Sequence, residues 1–202
     1  MPPRIIARQL SRPNGTLGFL VGKLMNRYNA RINAYALQLL AVSAGDRVLE
    51  IGFGGGVNLP SLIADAAFVA GVDYSPSVVN RANARFLQAV ASAKAVFREA
   101  TVEALPFEAA SFNKICAMNT IYFWSSLEKG FAEVHRVLAP GGRVVVGFLP
   151  KEWMDRGRFP SDIFTPRTAG EVTAALVNLG FQQVRVERPA TTTRWNVVHA
   201  NR

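Results

Sequence analysis

Asp46-Arg47-Val48-Leu49-Glu50-Ile51-Gly52-Phe53-Gly54-Gly55-Gly56-Val57 decides the reading of this chain. A short apolar, β-branched run ends on a carboxylate and then breaks into four glycines within five positions, the pattern of a buried strand turning sharply into a helix. Glycine admits positive φ and lets a bulky ligand approach where a Cβ would collide, and the helix that follows offers unpaired N–H groups. The turn is therefore a candidate ligand site. Two ligand classes fit it poorly. The dinucleotide fingerprint needs a small third residue where helix meets strand, and Val57 stands there; the phosphate loop needs a Lys after its glycines, and none follows.

The rest of the composition is that of one globular domain. The chain has 202 residues, half of them apolar and 18% charged, enough for a sizeable core and too apolar for disorder. A single cysteine, Cys116, lies in an apolar stretch, which excludes an internal disulfide and points to core packing in a reducing compartment. There is no run of about 18 apolar residues of the kind that spans a bilayer, and the N-terminus lacks the apolar core and cleavage site of a secretory signal. A cytoplasmic location is the expectation. The net charge of +9 is uneven: residues 1–45 hold Arg4, Arg8, Arg12, Lys23, Arg27 and Arg31 and no acid. Because these cations are scattered rather than clustered, nucleic acid is not expected, and peripheral contact with an anionic membrane stays open.

Reading along the chain, residues 1–14 carry Pro2, Pro3 and Pro13 without a sustained period and are expected to form a flexible basic tail. Leu17, Leu20, Val21, Leu24 and Tyr28, then Ile32, Tyr35, Ala36, Leu39 and Leu40, recur at helical spacing, predicting two helices or one bent one. After the glycine turn, residues 57–65 are predicted helical and Ala67–Asp73 a second strand. Ser75-Pro76 opens a helix with a cap oxygen and a first-turn proline. Short strands are predicted at Ala95–Arg98 and Lys114–Met118. Ser125 with Glu128 has the capping-box spacing for a helix ended by Pro140-Gly141-Gly142, after which Arg143–Phe148 is a strand. Thr165-Pro166 is expected to cap the last helix, and strands near 181–188 and 194–199 close the chain. Alternating strands and helices predict a mostly parallel sheet covered on both faces.

Taken together, Glu50-x-Gly52-x-Gly54-x-Gly56, Gly71-Val72-Asp73-Tyr74-Ser75, Glu103-Ala104-Leu105-Pro106-Phe107, Ser111-Phe112-Asn113-Lys114-Ile115 and Arg136-Val137-Leu138-Ala139-Pro140-Gly141-Gly142 resemble the class I S-adenosylmethionine-dependent methyltransferases of the small bacterial type. The motifs follow the family order over about residues 46–148. The resemblance implies a Rossmann-like three-layer α/β/α sandwich, with a mostly parallel seven-stranded sheet and an antiparallel last strand. It implies S-adenosylmethionine as cofactor. Within it, Gly52 and Gly54 with the intervening Phe53 admit the methionine portion, Glu50 orders the turn, and Asp73 accepts bonds from both ribose hydroxyls, with Tyr74 beside the adenine. Asn119, after the fourth strand, can offer carbonyl groups to the methionine ammonium. Thr101 stands where relatives commonly have Asp, so adenine is left to the Thr101 hydroxyl and the Val102 backbone. Asn113 likewise replaces a common Asp that serves a turn.

Tyr122, Trp124 and Tyr28 are candidates for the acceptor side, since aromatics make rigid walls and can face a cation. Of the two histidines, His135 lies on the helix of the Phe131–Leu138 stripe and is expected to have a structural or surface role, and His199, near the end of the sequence, is not a candidate either. No residues have metal-ligand spacing and no general base is evident, so no catalytic residue is assigned. The expected activity is direct in-line transfer of a methyl group to a small molecule. A phospholipid or other anionic amphiphile as acceptor, and a non-catalytic S-adenosylmethionine-binding module, stay open beside it. A nicotinamide oxidoreductase is disfavoured by Val57. The domain reading is a tail over 1–14 and one methyltransferase domain over 15–202, with 15–45 a helical lid and 46–202 the α/β core. As a lid the 17–28 stripe buries against the sheet domain, with Asn26, Tyr28 or Asn29 within reach of the cofactor, and Lys23, Arg27 and Arg31 form a positive ridge if the helix is continuous. The stripe lacks the Trp and Phe enrichment of interfacial helices, which favours the lid over a membrane anchor.

Overall fold

The computed structural model describes residues 4–189 and 194–202, with the side chains of Thr16, Phe19 and Asn26 outside the described set. Three helices precede the sheet: α1 (Arg4–Ser11), α2 (Gly15–Tyr28) and α3 (Ala30–Leu40). The irregular tail expected over 1–14 is thus helical from Arg4 onward. Eight residues do not hold a helix on their own; Ala7 is fully buried and Leu10 packs on the core, so tertiary contact supplies what local periodicity lacks. The chain breaks at Asn29 between α2 and α3, and Arg31 therefore does not continue a ridge from Lys23 and Arg27.

The core then alternates β1 (Arg47–Ile51), α4 (Leu59–Asp65), β2 (Phe68–Asp73), α5 (Pro76–Arg85), α6 (Leu87–Ala91), β3 (Ala95–Glu99), β4 (Phe112–Met118), a 3-10 turn at Ile121–Phe123, α7 (Leu127–Val137), β5 (Leu138–Phe148), α8 (Lys151–Arg156), α9 (Ala169–Asn178), β6 (Gln182–Glu187) and β7 (Asn196–Asn201). The sheet order is β3-β2-β1-β4-β5-β7-β6. Strands β1 to β5 pair in parallel, and β7 runs antiparallel to both β5 and β6. This is the expected seven-stranded, three-layer architecture with its last strand reversed. Strand order changes direction between β1 and β4, and open sheets bind ligands in the crevice at the carboxyl ends of such a pair.

Successive strand residues point to opposite faces, which divides the core in two. Leu49, Ile115 and Val146 pack with Phe131 of α7 and Leu176 of α9. Val48, Cys116 and Val145 pack with Ile32 and Leu40 of α3, Leu62 of α4 and Val79 of α5. Cys116 is fully buried, and burial pushes its thiol well up, so it is core and not a nucleophile. At the opposite ends of the strands, Asn113 accepts from the Arg47 amide at 2.8 Å and donates to Asp46 at 2.6 Å, tying β4 to β1.

Two helix starts differ from expectation by a few residues. The cap of α7 is Ser126, whose hydroxyl accepts from Lys129 N, while Ser125 donates its amide and hydroxyl to Glu103. The cap of α9 is Thr168 in a capping box with Glu171, not Thr165, whose amide donates to the Tyr122 carbonyl. Each competing serine or threonine is drawn to a partner distant in sequence that spacing does not reveal. Among the described residues, no helix is long and apolar enough to cross a membrane.

Candidate functional site

The glycine turn lies at the carboxyl end of β1, and its glycines meet two different needs. At Gly52, φ is +68° and a Cβ would sit 2.2 Å from Thr120 Cγ2, so the loop after β4 closes directly onto the turn. At Gly54, φ is +50° but a Cβ would meet nothing within 4 Å. The backbone there faces open space, where a ligand can approach.

Asp73 at the end of β2 is 8% exposed. Its Oδ2 accepts from Gly54 N and its Oδ1 from Ser75 N, each at 2.9 Å. Burial raises its pKa, against the two backbone bonds and the charge of Arg81. Each oxygen keeps a further lone pair for a ligand hydroxyl.

Glu50 is 3% exposed and accepts from Asn58 Nδ2 at 2.7 Å on Oε1, while Oε2 has no partner. Burial, reinforced by the charge of Asp73 and opposed by Asn58, pushes its pKa up to about 7. Across the turn, the buried Thr120 Oγ1 also lacks a partner. Buried oxygens are normally satisfied, so two orphaned acceptors beside an open glycine fit a ligand that brings N–H donors.

Asn119 adopts a left-handed φ of +58°, uncommon outside glycine and frequent at functional turns. Its amide donates to the Gly147 carbonyl, and its Oδ1 accepts from the Tyr122 hydroxyl at 3.2 Å. That hydroxyl in turn accepts from Leu149 N. Val102 is buried and Thr101 exposed in the segment after β3, next to Asp73, whose carbonyl accepts from Ala100 N. Tyr74 is half exposed, with the Arg12 guanidinium 4.7 Å from its ring centroid.

Three expected site residues stand elsewhere. The Phe53 side chain is 4% exposed and packs on Phe97 at 5.4 Å; it turns inward beneath Gly71, so only its backbone belongs to the turn. Trp124 is 5% exposed, with its ring 5.1 Å from Phe131 and against Gly130 of α7. It fills the core instead of walling a pocket, because the capping turn of α7 swings it under the helix. Tyr28, by contrast, is 57% exposed at the end of α2, where its hydroxyl accepts from Arg194 at 3.4 Å and its ring meets Trp195 edge-on. The Asn26 side chain lies outside the described residues. His135 packs on Phe181 and His199 lies 3.6 Å from Glu187; neither joins the turn. Among the described residues, no group of three or more His, Cys, Asp or Glu is placed to hold a metal ion.

The N-terminal segment closes over this region in a way the motifs do not disclose. The Pro13 carbonyl accepts from Ser75 Oγ at 2.7 Å and Ser77 Oγ at 2.9 Å. The Ser75 hydroxyl is thereby diverted from capping α5. On α2, a Cβ at Gly22 would lie 4.0 Å from Gly55 Cα, and one at Gly18 would collide with Gln9 and Pro13. Helix α2 therefore faces the turn with its glycines, and the four-residue spacing of Gly18 and Gly22 was the available signal. Beyond β5, a cavity of about 500 Å³ is lined by Pro150, Glu152, Trp153, Thr168, Arg188 and Asn196. Asn196 pairs with Phe148 at the carboxyl end of β5, so this cavity opens on the same end of the sheet as the turn.

Residues 49–146 match the family model described as a methyltransferase domain. The uncharacterized methyltransferase YdaC of Bacillus subtilis is 26% identical over 66% of this chain and 72% of its own length. The 27-O-demethylrifamycin SV methyltransferase of Amycolatopsis mediterranei is 34% identical over 54% of this chain, which spans only 40% of that relative. Among solved structures, an S-adenosylmethionine-dependent methyltransferase from Mesorhizobium loti superposes with a TM-score of 0.70 at 19% identity, over 83% of this chain and 96% of that one. The [4+2]-cyclase SpnF superposes with a TM-score of 0.74 at 18% identity, over 85% and 80%. At these identities the superpositions speak for the fold.

Proposed function

We propose that the chain is a class I S-adenosylmethionine-dependent methyltransferase that binds its cofactor over the glycine turn and directs the methyl group to a small-molecule acceptor, a reading supported by the match of residues 49–146 to a methyltransferase domain. The observation that carries this reading is the open backbone at Gly54 held by Asp73, beside the orphaned oxygens of Glu50 and Thr120. Asp73 accepts from the ribose hydroxyls with its remaining lone pairs. Thr120, Glu50 and the Asn119 carbonyl groups take the N–H groups of the methionine ammonium. Val102 N–H and the Thr101 hydroxyl meet the adenine edge, and Tyr74 with Arg12 covers its face. When bound, S-adenosylmethionine supplies an electrophilic sulfonium methyl for in-line displacement.

The protein then contributes orientation and exclusion of water. In this reading α2 is the lid, its glycine face over Gly55, and acceptors reach the site from the β5 side, past the cavity around Trp153; Tyr122, 6% exposed with its hydroxyl between Asn119 and Leu149, supports that side from within the core. With no histidine or metal cluster at the turn among the described residues, an acceptor that needs little base, such as an amine or thiolate, fits best. A second reading, a binding module without methyl transfer, is favoured by Thr101 in place of the usual Asp, and the fold it shares with a [4+2]-cyclase shows that this architecture does not fix chemistry.

Calorimetry with S-adenosylmethionine, S-adenosylhomocysteine and NAD separates cofactor classes, and release of S-adenosylhomocysteine against a panel of amines, thiols, phenols and lipids separates enzyme from module. Binding of NAD alone would overturn the cofactor assignment. Cofactor binding without turnover on any acceptor class would favour the module.

A further inference from the structure

Helix α2 turns its apolar stripe outward. Leu17, Leu20, Leu24 and Tyr28 are 39%, 60%, 63% and 57% exposed, while Val21 is buried. The inner face is occupied by Gly18, Val21 and Gly22 against α1, Pro13 and Gly55. The exposed residues stand at i, i+3, i+7 and i+11, one continuous ridge about 17 Å long. Exposed apolar ridges of this kind mark interaction surfaces. Lys23 and Arg27 each precede a ridge residue by one position and so run along its flank. Arg8, Arg12 and Arg31 are also exposed, in a segment with no acid. Arg4 pairs with Asp162, but among the described residues none of these other five cations has a salt-bridge partner.

We propose that the outer ridge of α2 docks the protein on an anionic lipid bilayer, with Leu17, Leu20, Leu24 and Tyr28 entering the interface and Lys23, Arg27 and their neighbours meeting the headgroups. The chemistry selects this occupant. An apolar ridge seats at the boundary between acyl chains and headgroups, and long basic side chains beside it lay their stems on apolar surface while the charges stay with anionic lipid. A second copy fits worse, because a two-fold contact through the ridge would bring Lys23 and Arg27 against the same like charges. Leucine and tyrosine, without added tryptophan, make the contact reversible and dependent on both the apolar and the ionic parts.

The test is cosedimentation of the full chain with vesicles of phosphatidylcholine alone and of phosphatidylcholine with phosphatidylglycerol, at low and high salt. Binding is expected to the anionic vesicles only, and to weaken as salt rises. Leu20→Glu with Leu24→Glu, and separately Lys23→Glu with Arg27→Glu, should each weaken binding about tenfold or more. Leu87→Glu, at a leucine of α6 that is 66% exposed, should leave it within about twofold. Thermal melts confirm that each variant is folded. Failure of the folded wild type to bind anionic vesicles overturns the proposal, as does equal loss in Leu87→Glu. So does a leucine-dependent dimer in sedimentation velocity that replaces vesicle binding.

Discussion

Asp73 holds Gly54 in place: its Oδ2 accepts the Gly54 amide at 2.9 Å, while Oδ1 accepts the Ser75 amide at the same distance. One carboxylate thus fastens the turn after β1 to the turn after β2. If the cofactor binds there, its affinity and the local order of the turns depend on the same side chain.

Asp73→Asn should lower S-adenosylmethionine affinity by at least about tenfold, since charge-assisted hydrogen bonds are worth about 1.5–3 kcal/mol. Asp73→Ala should do the same and lower stability by about 1–3 kcal/mol, because two buried backbone amides lose their acceptor, whereas Asn keeps an acceptor for one of them and should cost less. Calorimetry and denaturant melts read the two effects separately. An isotherm for Asp73→Asn that overlays the wild type would remove Asp73 from the cofactor site.

Gly54→Val and Gly52→Ala should part company. Gly54 faces open space, so the valine variant folds, with a backbone cost of about 1–2 kcal/mol at positive φ, and loses cofactor binding through bulk. At Gly52, a Cβ runs into Thr120, so even alanine displaces the β4 loop and destabilises the fold. Normal cofactor binding by Gly54→Val would show that the ligand does not cross the turn there.

Glu50 confers a pH dependence with a definite sign. Its folded pKa of about 7 lies above the ordinary 4.5, so the folded state holds this proton more tightly than the unfolded chain does. Its contribution to stability is complete below about pH 4.5 and lost as pH rises to about 7, at most about 3 kcal/mol. Glu50→Gln keeps an acceptor for Asn58 and removes the ionisation. Chemical denaturation should show the variant losing less stability than wild type between pH 5 and 8; parallel profiles would mean that Glu50 stays ionised in the fold.

Trp124→Ala should cost about 3–5 kcal/mol as a core truncation. Its loss of turnover should follow the fraction unfolded, and stabilising the variant by cooling should restore activity. A stable variant that binds cofactor yet cannot transfer a methyl group would return Trp124 to the acceptor side.

If α2 is the lid, S-adenosylmethionine should slow amide exchange in residues 15–28, and Ser75→Ala with Ser77→Ala should weaken that protection by freeing the Pro13 carbonyl. Exchange unchanged by cofactor would mean that α2 does not close over the ligand.

The fold was legible because its signals are local. A β-branched run ending in Glu50 and four glycines, an acid at the end of the next strand, and alternating strand and helix periods each depend only on backbone geometry and side-chain spacing. They determined the layers, the reversed last strand through the family resemblance, and the placing of Gly52, Gly54 and Asp73 in the turns at the carboxyl ends of β1 and β2. What they left undecided depends on partners far apart in the chain. Whether residues 4–11 are helical rests on burying Ala7 and Leu10, and whether Phe53 and Trp124 face ligand or core rests on Phe97 and Phe131. The same holds for α2. Its leucine period specifies an amphipathic helix but not which face meets the protein; the close approach of Gly22 to Gly55 and the bonds from Ser75 and Ser77 to Pro13 decide that the glycines turn inward and the leucines stay outside.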